Sequence, residues 1–187
     1  KQVPYVIYAD EPPALQEIEW GEGELVKDPN FNSHSFDCWE KDQESRVSIE
    51  NDENGQTYLH IANKAKVSQT VSLKPGLTYS LSVWAKVEGE CEASLTARFS
   101  NGDQVTNYID SSCVTNYSDN HAKYLTNFQR IRVEFEVPSD GQVELILEAD
   151  SKEDGAYADF DLVRLVEKEH TDRKGHWFFE DFENCDE

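Results

Sequence analysis

Thirty-eight of the 187 residues are aspartate or glutamate and five are histidine, so acid–base chemistry is the first possibility to test. Hydrolysis of a glycosidic bond needs two carboxyl groups held at a fixed separation. Acyl transfer needs a nucleophile beside an oriented base. The carboxylates of this chain instead cluster on turns or alternate with arginines, as in Arg130, Arg132, Glu134 and Glu136. His34, His60, His121, His170 and His176 show no HExxH spacing, and there is no glycine-rich phosphate loop. His121 falls in a long loop and reads as a surface histidine. No catalytic constellation is expected.

Binding is better represented. In Leu77–Val87, LTYSLSVWAKV, the residues Leu77, Tyr79, Leu81, Val83, Ala85 and Val87 share one side. Thr78, Ser80, Ser82, Trp84 and Lys86 share the other, which is the period of a half-buried strand. Trp84 is a large aromatic among hydroxyls and charges. An indole offers a flat apolar plane to the C–H face of a pyranose, while amide, guanidinium and carboxylate groups satisfy its hydroxyls. The candidate ligand residues are therefore Trp84, Arg98, Tyr108, Tyr117 and Arg130, with Tyr124, Arg132, Asn107 and Asn116 as neighbours. Burial of Trp84 under a loop, and ordinary packing of each tyrosine, are the plainer alternatives.

A metal site is the second possibility. Asp161 stands at period two with Val163 and Leu165, so its side chain is expected on the core side. A carboxylate there is costly to bury unless paired or bound to a cation. Calcium takes six to eight oxygens, many from turn carbonyls, and the Asp28–Asn32 turn can supply them. The alternative is a carboxylate that accepts backbone N–H bonds.

The elements that must position these residues read as strands throughout. Arg46–Glu50, Tyr58–Ala62, Val67–Leu73, 77–87, Ala93–Phe99, Ile131–Val137, Val143–Leu147 and Tyr157–Val166 alternate apolar with polar residues. Turns at Asn54-Gly55, Pro75-Gly76, Asn101-Gly102 and Pro138–Gly141 separate them. Residues 106–127 break the rhythm and read as a long ordering or functional loop. This is the pattern of an antiparallel β-sandwich rather than a closed barrel.

Seventeen basic residues against 38 acidic ones give a net charge of −21, a field that repels nucleic acid and anionic lipid. No apolar run approaches the ~18 residues of a membrane-spanning helix. There is no methionine and no signal peptide, so the chain reads as a segment of something longer. Cys38, Cys91, Cys113 and Cys185 lack metal-ligand spacing and are expected as free, mostly buried thiols. The sandwich is expected over residues 25–168. Residues 1–24 read as a linker or the end of a preceding domain. Residues 169–187 read as a linker and the start of another domain, since Phe179–Asn184 echoes Val26–Asn32.

LVKDPNFNSHSFDCWEK, LKPGLTYSLSVWAKV and YADFDLVRLVE resemble the opening motif, the central strand and the closing strand of galactose-binding-like carbohydrate-binding modules. YADEPPALQEIEWGEGELVKDPNFNS, the VTNY run and FEDFEN are similar to the accessory region of bacterial endo-α-N-acetylgalactosaminidases. Those are multidomain glycoside hydrolases acting on mucin-type O-glycans. The resemblance implies a non-catalytic jelly-roll module that binds galactose or N-acetylgalactosamine, beside a catalytic domain elsewhere in a secreted parent. It also implies a structural calcium ion held by Asp28, Asn30, Asn32 and Asp161, with Asn32 standing where the motif usually has glutamate. The module is expected to be monomeric, extracellular or on the bacterial surface, and in contact with neighbouring domains of its parent. Two rivals are a spacer that binds no sugar, and a catalytic sandwich such as a lyase or esterase.

Overall fold

The computed structural model describes residues 25–53, 55–113 and 128–168. The expectations for residues 1–24 and 169–187, and those for Asn116, Tyr117, His121, Tyr124 and Cys185, lie outside the described residues. Ten strands run in the order β1 Glu40–Lys41, β2 Val47–Asn51, β3 Thr57–Ala62, β4 Ala65–Ser72 and β5 Thr78–Glu88, then β6 Cys91–Phe99, β7 Gln104–Asp110, β8 Gln129–Glu136, β9 Gln142–Ser151 and β10 Tyr157–Glu167. They form two five-stranded antiparallel sheets, β2-β3-β10-β5-β8 (sheet I) and β1-β4-β9-β6-β7 (sheet II). The expected sandwich is the observed architecture.

Alternation builds the core. Leu81, Val83 and Ala85 of β5, Phe160 of β10 and Leu145 and Leu147 of β9 are fully buried between the sheets. Each large apolar side chain placed there contributes about 1.5–3 kcal/mol relative to exposure. Phe31 and Trp39 pin the opening loop to the same core, with ring centroids 5.6 Å apart. At the turn before β9, Gly141 has φ +71°, and a Cβ there would lie 2.7 Å from the Leu73 carbonyl oxygen. Glycine is required at that position by both the dihedral and the close approach.

Two expectations need correction. Residues 106–110 were expected in the loop, yet they belong to β7, an edge strand paired with β6. Its inward row reads Val105, Asn107, Ile109, and the polar Asn107 hides the alternation. That amide faces the open edge of the sandwich and donates from Nδ2 to the Arg132 carbonyl of β8 at 3.0 Å. Asp161 also differs. The β10–β5 ladder pairs Asp161 with Trp84 and then jumps to Arg164 with Ser82, so a bulge intervenes. Leu162 takes φ +54° inside it. Such an extra residue flips the parity of everything beyond it. Asp161 therefore stands in the outward row with Asp159, while Val163 and Leu165 face the core.

Candidate functional site

Ladder register places side chains of adjacent strands side by side on one face. On the outward face of sheet I this produces three consecutive rows. Ser48, His60, Asp159 and Lys86 form the first, from β2, β3, β10 and β5. Asp161, Trp84 and Arg130 form the second, and Arg164, Ser82 and Arg132 the third. Trp84 is half-buried and sits at the middle of the second row.

Asp159 organises the first row. It is 3% exposed, accepts from His60 Nδ1 at 2.7 Å and pairs with Lys86 Nζ at 3.2 Å. Its two cationic or donor partners offset the cost of burying the carboxylate. The His60 ring also lies 4.8 Å from the ring of Tyr157, and Lys86 Nζ is 5.8 Å from that ring's centroid and 5.7 Å from Phe128's. Tyr58 is close by: burial and then the Asp159 carboxylate push its phenol pKa up. Ser48, His60 and Asp159 are the residue types of a hydrolytic triad, but Ser48 Oγ donates to Glu50 at 2.6 Å rather than to the imidazole. The row supplies a rigid aromatic and polar surface instead of an activated nucleophile.

Arg130 and Trp84 are thus brought together as ladder partners. Arg98 and Tyr108 are not with them. They lie on the outward face of sheet II, where Arg98 Nε and Nη2 donate to Glu144 at 2.8 and 2.5 Å and Tyr108 is 51% exposed. Sequence reasoning grouped these four residues; the sandwich separates them onto opposite faces. It placed Lys86 with Trp84 but missed Tyr58, His60, Tyr157, Asp159 and Arg164 as members of that face. Parity marks Tyr58, His60 and Arg164 as outward on their own strands, but Tyr157 and Asp159 share the period of Val163 and Leu165 until the bulge shifts it, and which strands are neighbours is not written in parity at all.

The opening turn and the bulge meet, as Val163 N donates to the Pro29 carbonyl at 2.8 Å. Asp161, 1% exposed, accepts from Gln56 Nε2 at 2.5 Å and from Leu162 N at 2.7 Å. Both donors are neutral, so burial raises its pKa to about 6 against the lowering effect of those bonds, and Asp52 adds to the rise. A buried carboxylate without a counter-charge among the described residues suits a cation in kind. Asp28 suits one less well, because its carboxylate already accepts from Ser33 N and Oγ, and its carbonyl from Trp39 Nε1. Asn30 is half-buried and Asn32 exposed. No three histidine, cysteine or acidic residues converge on a metal position among the described residues. Cys38 and Cys91 are free thiols, and burial pushes the Cys91 thiol up to about 11.

The model of endo-α-N-acetylgalactosaminidase domain 5 matches residues 26–158. A curated relative from Renibacterium salmoninarum, described as an endo-α-N-acetylgalactosaminidase, is 30% identical over 170 residues, covering 90% of this chain and 11% of the relative. The chain therefore spans about a ninth of that protein's length. Among solved structures, a family 61 carbohydrate-binding module in complex with β-1,4-galactotriose superimposes with a TM-score of 0.60 at 15% identity, covering 77% of this chain and 98% of that one. A Clostridium thermocellum xylanase 10B fragment, family 22 module plus catalytic module with xylohexaose, gives 0.50 at 15% identity over 74% of this chain and 28% of that one. At such identities the likeness establishes the fold, that of the carbohydrate-binding sandwiches.

Proposed function

The chain belongs to the domain 5 family of endo-α-N-acetylgalactosaminidases, and from that premise we propose that it is a non-catalytic sugar-binding module of a secreted glycoside hydrolase. Its ligand is a galactose- or N-acetylgalactosamine-containing unit of mucin-type O-glycans, and its site is the outward face of sheet I. The observation that carries this reading is Trp84, half-buried and outward between Asp161 and Arg130, beside the His60–Asp159–Lys86 row. The indole stacks on the pyranose, and the rigidly held His60 and Lys86 and the Arg130 guanidinium bond its hydroxyls. A platform fixed before the ligand arrives loses little entropy on binding. The parent's hydrolytic activity belongs to residues outside this chain.

Titration of the 187-residue chain with galactose, N-acetylgalactosamine and Gal-β1,3-GalNAc, followed by tryptophan fluorescence, tests the proposal. Saturable quenching that Trp84→Ala abolishes is the expected result. A cooperatively folded protein that responds to none of the three overturns it.

Calcium at the turn–bulge junction is the second part of the proposal. Asp161 would hold the ion, with Asn30 and Asn32 as neutral oxygen donors and the Gln56 amide released from the carboxylate; Asp28 contributes after giving up Ser33. A calcium-dependent rise in melting temperature that Asp161→Asn removes is expected, and equal melting in calcium and in chelator overturns it.

A further inference from the structure

Three guanidinium groups gather at one end of the Trp84 face. Arg132, Ser82 and Arg164 are aligned across β8, β5 and β10, and Arg130 lies one row away beside Trp84. Neighbouring strands are roughly 5 Å apart, so the three groups share a small area. Arg130 Nη2 donates to Ser82 Oγ at 3.3 Å and Arg132 Nε to Ser80 Oγ at 2.8 Å, both neutral acceptors. The carboxylate at this corner is Glu134, which Arg132 and Lys168 share. Arg130 and Arg164 have no ion-pair partner among the described residues. Burial chiefly, and then the nearby Arg132 and Arg164 guanidiniums, lower the pKa of Arg130, so the three cations lie close enough to repel one another. Clustering of this kind opposes folding and is relieved by an anion, and the planar guanidinium fork matches carboxylate and sulfate oxygens.

We propose that the outward face of sheet I selects an acidic glycan, one whose carboxylate or sulfate ester seats among Arg130, Arg132 and Arg164 while a sugar ring lies on Trp84. This rests on the sugar-binding reading of that face and specifies its ligand class. Salt weakens such binding by screening the exposed charges.

The test is calorimetric titration of the 187-residue chain with galactose, N-acetylneuraminic acid and galactose 3-sulfate at low and moderate salt. At least one acidic sugar is expected to bind tenfold or more tightly than galactose, with the ratio shrinking as salt rises; whichever acidic arm binds better identifies the anion. Arg164→Gln, checked for an unchanged circular dichroism spectrum, is expected to bring that ratio close to one. Equal affinity for acidic and neutral sugars overturns the anion site and leaves sugar binding standing. Binding of none of the three overturns both.

Discussion

The two outward faces of this sandwich arise from the same strand alternation and differ in almost everything that matters for recognition. Sheet I presents Tyr58, His60, Trp84 and Tyr157 around a buried Asp159 whose partners come from two other strands. Sheet II presents hydroxyls, such as Thr96 bonded to Thr106 at 2.8 Å, interspersed with charged residues such as Glu92, Glu148 and the Arg98–Glu144 pair, and an exposed Tyr108. Both are polar, so polarity alone does not single out a site. The difference lies in whether apolar rings and fixed charges are held side by side, with the charged groups desolvated enough for their interactions to count.

The largest expected effect is on binding. Trp84→Ala should weaken sugar binding more than about a hundredfold, on the order of 3 kcal/mol, while Tyr108→Ala on the other face should change it less than about twofold. Titration of both variants checks this, and equal losses would erase the distinction between the faces.

The next contrast is in stability. Asp159→Ala removes a carboxylate buried to 3% exposure and strands Lys86 and His60, so a loss of roughly 3 kcal/mol is expected by urea denaturation.

Asp161 provides a pH dependence of similar or smaller size. Its pKa is raised in the folded state to about 6 from an ordinary 3.8, so the folded chain holds this proton where the unfolded chain has lost it. The stabilisation is complete below pH 3.8, declines as pH rises toward 6, and is gone above. Denaturation in chelator should therefore show about 2–3 kcal/mol of stability lost across that window, and Asp161→Asn should flatten this component. A profile that rises with pH in the wild type but not in the variant would contradict the assignment.

The smallest effect belongs to sheet II. Glu144→Ala breaks a pair whose side chains are 28% and 38% exposed, and such pairs contribute under about 1 kcal/mol. A loss as large as that of Asp159→Ala would show that the two faces are electrostatically alike after all.

How much of this was legible beforehand varies from strand to strand. In β5 each inward residue is apolar and each outward one except Trp84 is polar, and the central strand was readable nearly to its ends. β7 was not, because Asn107 occupies an inward position at the sandwich edge, where its job is to serve a carbonyl of β8. Asp161 was recognised as a buried carboxylate, but its direction was misjudged, because a bulge leaves no mark on the parity that precedes it. Trp84 and Arg130 were chosen as individual outward residues and proved to be neighbours; Arg98, chosen on the same grounds, and Tyr108, chosen from the long loop, lie on the other face.

Periodicity, turn residues and charge by themselves determined the all-β class, the bounds of most strands and the inward or outward parity along strands other than β7 and the start of β10, because these follow from local backbone geometry and the cost of burying polar groups. Only the tertiary structure decided that β3, β10, β5 and β8 lie in one sheet. His60, Lys86 and Asp159 are far apart in the chain and meet through hydrogen bonds between those strands, and pairing across such distances depends on how the whole core packs rather than on any residue's own neighbours.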